Sequence, residues 1–395
     1  MNATNENADK ALLPAGMADV LPPDAAFEAA VVERLMARFG AQGYGRVKPP
    51  LLEFEENLLR GPGSAMASQT FRLMDPISQR MMGLRADMTP QVARIATSRL
   101  KNAPRPLRLS YAGQILRVKG SQLRGERQFG QVGVEVIGAA NPAADAEIIL
   151  MAASALADLG VKNMSVDLCL PTLVPAVCQD LGIDPNVEAS LRAALDRKDA
   201  ADLAELSGTI GETELALFSA LLAATGPAED TLAALGRLSF GPTATAECDT
   251  LAAVVAAVHN ETPELVLTID PVENRGWEYH TGVTYTFFTR GVRGELGAGG
   301  RYITDDGAPG GNSSDDAEHS TGLTLFMDTL LRAIPSDKEA ERIFMPVGTP
   351  QIIGQSFRDD GWVTVYGLEP ASDARKQAMH QECRYILEDG KAVLL

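Results

Sequence analysis

Two long alternating stretches, 107–118 and 128–137, are separated only by a short polar connection, Lys119 to Arg127. Alternation with period two puts one side chain in each pair on a buried face. Strands this long and this close in sequence pair antiparallel. They fix the centre of the fold as an antiparallel sheet and leave every other segment to be placed around it.

The flanking pattern agrees. Pro22-Pro23-Asp24 opens a helix whose Phe27, Val31, Leu35 and Phe39 recur at helical spacing, with Gly40 and Gly43 ending it. Arg46 to Leu52 reads as a short strand carrying Pro49-Pro50, which suits an edge or an interface. Phe71 to Leu84 reads as a hairpin turning near Asp75-Pro76, and Thr89-Pro90 starts a helix with Thr as its cap. A further helix runs from Ala144 to Gly160, and strands follow over 165–170, 265–269, 279–290 and 294–302. Asp305 to Ser320 is rich in Gly, Asp and Ser and reads as a mobile loop, and Thr321 to Ile334 reads as an apolar helix. The expected fold class is therefore α+β: an antiparallel sheet flanked by helices. The expected organisation is a flexible N-terminus over 1–12 and a core formed by 13–178 and 263–334. An Ala-, Leu- and acid-rich helical insert (179–262) interrupts that core, and a small C-terminal α/β domain over 335–395 ends in a hairpin turned by Asp389-Gly390.

Length and composition agree with that plan. The 395 residues, 45% hydrophobic and 22% charged, allow two or three domains with a sizeable core and exclude disorder, collagen and coiled coil. No apolar run approaches the roughly 18–20 residues that span a bilayer, and Met1 to Lys10 is too polar for a secretory signal, so a cytoplasmic protein is expected, with no membrane contact. Cys169, Cys178, Cys248 and Cys383 form no metal-ligand spacing, so no metal and no cofactor are expected. The net charge of −17 weighs against a nucleic-acid partner. One island runs the other way. Thr89 to Gly125 holds no acid but has Arg94, Arg99, Lys101, Arg105, Arg108, Arg117, Lys119 and Arg124. It is either a site for an anionic ligand or acidic partner surface, or a solvated face.

Four stretches could carry chemistry. Asp87 and Thr89 stand where a strand passes into a helix, and there they either receive an ammonium group or serve the helix N-terminus. Gln131, Gly133 and Glu135 share one face of the second long strand, so an amide and a carboxylate stand above a flat floor. Both need a partner, either internal or a ligand. The stretch 274–282 packs Arg275, Tyr279 and His280 between glycines. Arg275 suits a carboxylate, and the other two suit a polar ring. Gly297 to Tyr302 is a Gly-rich strand on which a ligand could lie, without the strand–turn–helix context of a dinucleotide site.

In order, these pieces resemble the catalytic domain of class II aminoacyl-tRNA synthetases, specifically histidyl-tRNA synthetase, from about Ala15 to Ile334. The matching pieces are Gly16 to Pro22, the dimer-interface motif from Gly43-Tyr44 to Pro50, the LRxxxT stretch at 84–89, the motif 2 arginine Arg117, the stretch 275–282 and Gly299 to Tyr302. The resemblance places Asp87 and Thr89 at ammonium-binding positions and Gln131 and Glu135 at histidine-reading positions. It places Arg275 near the substrate carboxylate, Tyr279 at the first of a tyrosine pair, and His280 at the second. The nucleotide machinery departs from the family. Lys119 stands where an acid helps to grip ATP. Gly322 to Thr329, read as helical, puts Phe326 where a glycine belongs and Thr329 where the γ-phosphate arginine belongs. The tail is also too short for the usual anticodon-binding domain.

A kept amino-acid pocket with a lost nucleotide site is similar to the family of ATP phosphoribosyltransferase regulatory subunits. That resemblance implies a subunit without catalysis of its own. Its partner would be the short-form catalytic ATP phosphoribosyltransferase, its self-association a class II-type dimer, and its ligand L-histidine, sensed for feedback with no tRNA bound. The alternative implied by the same motifs is an active histidyl-tRNA synthetase or an amino-acid ligase.

Overall fold

The computed structural model describes residues 12–120, 124–273, 279–304, 317–335 and 340–395. Its strands, in chain order, are β1 (Gly45–Arg46), β2 (Leu52–Phe54), β3 (Arg72–Met74), β4 (Met81–Leu84), β5 (Leu107–Leu116), β6 (Gln128–Ile137), β7 (Met164–Cys169) and β8 (Gly226–Pro227). They continue with β9 (Val266–Asp270), β10 (His280–Thr289), β11 (Gly297–Ile303), β12 (His319–Phe326), β13 (Arg342–Met345), β14 (Val363–Tyr366), β15 (Tyr385–Glu388) and β16 (Lys391–Leu394).

The main sheet has the order β1-β5-β6-β12-β11-β10-β7-β9-β8. It is antiparallel except at β1–β5 and β7–β9. The hairpin β5–β6 is its longest pairing, from Leu107↔Ile137 to Leu116↔Gln128. One face is continuous and apolar. Val132, Val134 and Val136 of β6, Leu323 and Leu325 of β12, and Tyr285 and Phe287 of β10 pack with residues of the helices Asp24–Ala41, Pro142–Asp158 and Pro242–Glu261. The opposite face carries a smaller apolar cluster under the helix Thr89–Ser98, with Met88, Val92, Tyr111, Phe129 and Phe326 among its members. The rest of that face is available for polar groups. A separate small sheet, β2-β4-β3, holds the hairpin that turns over Asp75–Arg80.

Contacts divide the chain into two units, Met1–Pro335 and Ser336–Leu395. The second is a four-stranded sheet, β14-β13-β15-β16. Asp389 and Gly390 both take positive φ (47° and 74°), which gives the tight turn that closes β15 onto β16.

The structure corrects several expectations. Thr321 to Phe326 is not helical. It belongs to β12, and the helix begins only at Met327 and ends at Ala333. β12 lies between β6 and β11, and all but its first residue are buried, so its sequence shows no alternation and reads as an apolar run. His319 and Ser320 belong to this strand as well, while 305–316, the bulk of the expected mobile loop, lie outside the described residues. Arg46 to Leu52 is not one strand. β1 and β2 belong to different sheets, and Pro49-Pro50 lies between them, where no ladder donor is needed. Thr89 opens the helix without capping it, because its hydroxyl is engaged elsewhere.

The basic island is largely spent inside the fold. Arg94 pairs with Glu53, Arg105 with Glu318, Arg108 with Glu147, and Arg124 with Asp328 and Glu295, while Arg117 approaches Asp87. The complementary acids come from distant parts of the sequence, so the run of one sign along the chain does not become a patch of one sign in space.

Candidate functional site

The site is built where β5, β6 and β12 lie side by side under the start of the helix Thr89–Ser98. The ladder sets Tyr111 opposite Gly133, Gly133 opposite Thr324, and Glu135 opposite Gly322. Two of these positions require glycine. A Cβ on Gly133 would lie 2.3 Å from Tyr111 Cζ, so only a bare backbone lets that ring lie across β6. A Cβ on Gly322 would lie 1.7 Å from Glu135 Oε2. The space in which Glu135 stands is therefore made by the neighbouring strand's missing side chain.

Glu135 is 1% exposed and is ringed by hydroxyls. Its Oε1 accepts from Thr89 Oγ1 (3.0 Å) and from Tyr111 OH (3.2 Å), and its Oε2 accepts from Tyr302 OH (3.0 Å). Tyr111 OH also lies 2.7 Å from Thr324 Oγ1. Among the described residues no cation pairs with this carboxyl. Burial pushes it up to about 8, with the nearby Asp87 adding to the rise and the three hydroxyls pulling the other way.

Asp87 lies beside it. Its Oδ1 accepts from Thr89 N (2.8 Å) and its Oδ2 from Gln131 Nε2 (3.1 Å). Gln131 Oε1 in turn accepts from Met88 N (3.1 Å). Gln131 thus ties the strand to the strand–helix junction and fixes Asp87. Arg117 donates from Nε to Ala86 O (3.2 Å), and its Nη2 is 4.0 Å from Asp87 Oδ2, with no hydrogen bond.

These groups open on a cavity of about 560 Å³. Asp87, Thr89, Glu135, Tyr279, His280 and Tyr302 line it, together with Thr284, Thr286, Phe288 and Glu295. The Tyr279 and His280 rings lie 4.5 Å apart at 30°, and Tyr279 meets Tyr302 edge to face at 6.2 Å. Of the residues singled out from sequence, the structure brings Asp87, Thr89, Glu135, Tyr279 and His280 to one cavity. Gln131 and Arg117 stand behind Asp87 and do not line it. Arg275 lies outside the described residues. Arg301, of the Gly-rich strand, turns to the other side and pairs with buried Asp145, donating also to Asn141 O (2.9 Å).

Sequence reasoning did not single out Tyr111 and Thr324, and it named Tyr302 only as the end of the Gly-rich strand. Tyr111 carried a usable signal, because the hairpin register puts it directly opposite Gly133. Among the described residues, one group could hold a metal ion: Asp167, Cys169 and Glu273, whose ligand atoms lie within 4.8 Å of one another. Asp167 Oδ1 already accepts from Thr268 Oγ1 (2.9 Å), and Cys169 Sγ is 3.7 Å from Glu273 Oε2.

Two carboxyl groups, several hydroxyls and an aromatic wall around one cavity suit a small molecule that presents N–H donors, such as an ammonium group and a polar ring.

Comparison with known proteins agrees with this architecture. The model of the histidyl-tRNA synthetase family matches residues 16–330. The ATP phosphoribosyltransferase regulatory subunit of Paramagnetospirillum magneticum is 57% identical over 382 residues, 97% of this chain and 97% of that protein. The regulatory subunit of Gluconobacter oxydans is 43% identical over 393 residues, 99% of each. Among solved structures, an ATP phosphoribosyltransferase regulatory subunit/histidyl-tRNA synthetase from Bacillus halodurans superposes with a TM-score of 0.78 at 22% identity, covering 93% of this chain and 96% of that one. Histidyl-tRNA synthetase from Nostoc gives 0.77 at 18%, covering 95% and 90%. At these identities the two structures speak for the fold alone.

Proposed function

Since the chain belongs to the family of ATP phosphoribosyltransferase regulatory subunits, built on the histidyl-tRNA synthetase domain, we infer that it is a non-catalytic partner of a short-form catalytic ATP phosphoribosyltransferase and that it senses histidine in the cavity above Glu135. The observation that carries the reading is Glu135 itself. A carboxyl group buried to 1% exposure among hydroxyls, with no cation paired to it among the described residues, stands in a cavity with room for a small molecule and can exchange its proton for a partner carrying positive charge or a strong N–H donor. Histidine supplies both an ammonium group and an imidazole N–H. Asp87 stands where the ammonium group would be received, Glu135 and Tyr302 where the ring would be read, and the Tyr279–His280 pair forms the wall. Arg275 would take the carboxylate.

Calorimetry on the purified chain tests the reading. Saturable 1:1 binding of L-histidine is expected, weakened at least about tenfold by Glu135→Ala, as befits loss of a hydrogen bond to a charged group. No heat with histidine, alone and in the presence of the catalytic subunit, removes the sensor. Histidine-dependent exchange of pyrophosphate into ATP by the isolated chain would instead establish a synthetase.

A further inference from the structure

The helix Pro185–Asp196 of the helical insert is closed by a pair of hydrogen bonds, from Lys198 N to Leu195 O (3.0 Å) and from Asp199 N to Ala194 O (3.0 Å). That closure needs one residue in the left-handed region, and Lys198 supplies it with φ 58°. The preceding helix, Leu173–Leu181, closes in the same way, from Gly182 N to Gln179 O and from Ile183 N to Cys178 O. There the left-handed position belongs to a glycine, with φ 66°. A Cβ makes that conformation costly, so lysine is a poor residue for the turn itself.

What lysine adds is reach. Its Nζ lies 2.5 Å from Asp270 Oδ1. Asp270 is the last residue of β9, 6% exposed, and stands beside Cys169 of β7 in the main sheet. The same Oδ1 accepts from Val272 N (3.3 Å), which closes a turn directly after the strand. Val272 packs into the main apolar core, and the next residue, Glu273, lines the cavity. One carboxylate thus meets the insert on one side and on the other shapes the turn that delivers a cavity-wall residue. An ion pair between two solvated side chains would be worth little. Here one member is buried, and the other is held in a backbone conformation that a glycine would relieve.

We infer that Lys198 is a positioning residue, a latch by which the helical insert holds the turn 270–273 and with it one wall of the cavity. This rests on the reading of the cavity as a histidine receptor and gives the insert a part in it. The coupling runs both ways, since an insert that steadies the turn is steadied in return by whatever binds there.

Three proteins test the latch: wild type, Lys198→Arg, and the pair Lys198→Gly with Asp270→Asn. Arginine keeps the charge and the reach. The pair gives the helix its preferred closing residue, keeps an oxygen for Val272 N and leaves no buried charge unpaired. Its melting temperature is expected to match or exceed that of wild type, while histidine, titrated calorimetrically, binds at least about threefold more weakly. Lys198→Arg is expected to bind as wild type does. Unchanged affinity in the pair overturns the latch, and so does a loss of affinity that tracks a loss of stability or that Lys198→Arg shares. Amide exchange read by mass spectrometry supplies a second measure. Without ligand, 268–273 should exchange faster in the pair than in wild type, and equal rates overturn the latch. With histidine, exchange at 194–199 should slow in wild type. A wild type that binds histidine without that slowing overturns the latch with no variant involved. A wild type that ignores histidine removes the receptor reading instead, and the ligand-free exchange then decides on Lys198 alone.

Discussion

Glu135 is the residue at which the fold's chemistry becomes measurable. Its carboxyl is raised to about 8 by burial, so at neutral pH the empty cavity holds mainly the protonated acid. A ligand that brings an ammonium group or an imidazole N–H favours the carboxylate. Binding at pH 7 should therefore release a proton, and histidine affinity should rise with pH up to about 8, where the free protein has already lost that proton. Titrations at pH 7 in buffers of different ionisation enthalpy should give different heats, and Glu135→Gln should abolish the difference. Identical heats for wild type would show that this carboxyl does not titrate with the ligand. Stability runs the opposite way with pH. A raised acid contributes its full share only below its ordinary value of 4.5 and loses it as pH climbs through 8. Glu135→Gln should therefore gain in melting temperature relative to wild type at pH 9 compared with pH 5. At this scale the sequence was informative where polarity broke an apolar alternation, as at Gln131 and Glu135. Tyr111 was nearly opaque, since a tyrosine on a strand is ordinary and only its register opposite Gly133 marks it. Arg124 was equally opaque, being one base among eight in a run.

Among the elements, β12 is the strand on which the site turns and the one misread from sequence. Periodicity distinguishes a half-buried strand from a helix, but a central strand buried on both faces offers no period at all. Its role comes from what it lacks. Gly322 leaves the hole for Glu135, and a methyl group there would meet Glu135 Oε2 at 1.7 Å and Val134 O at 2.7 Å. Both the carboxylate and the β6–β12 spacing must then yield. Gly322→Ala is expected to cost about 1–3 kcal/mol of stability, the usual penalty for overpacking, and to weaken histidine binding along with it. Gly45→Ala is the control, because its added methyl first meets Arg108 O at 3.8 Å. Denaturant midpoints that fall equally for both variants would mean that close packing at Gly322 is not the constraint. The hairpins, by contrast, were legible. Asp389-Gly390 dictates a tight turn, and the pair β5–β6 declares itself through two clean alternations.

For the molecule as a whole, sequence charge and spatial charge part company. The run of bases from Thr89 to Gly125 suggested a surface for something anionic, yet Glu53, Glu147, Glu318 and Asp328 pair with four of its eight bases. What remains is a strongly acidic chain, net −17, and the regulatory role proposed for it would be exercised through a partner. Sensing by such an assembly has a thermodynamic signature that no single-chain measurement can give. Histidine can inhibit the partner only if it binds the inhibited assembly more tightly than the active one, and the coupling is reciprocal. Whatever factor histidine imposes on the assembly's affinity for the catalytic subunit's substrates, those substrates must impose on its affinity for histidine. Typical couplings correspond to about 5- to 150-fold. Histidine should therefore be titrated into the complex with and without saturating substrate, and the substrate with and without saturating histidine. The two ratios are expected to agree and to exceed about fivefold. They should collapse together towards one when Glu135→Ala is carried in the regulatory chain. Equal histidine affinities in the two states of a complex that histidine still inhibits would place the inhibitory site outside this cavity, and Glu135 would then belong to an inherited receptor with no part in regulation.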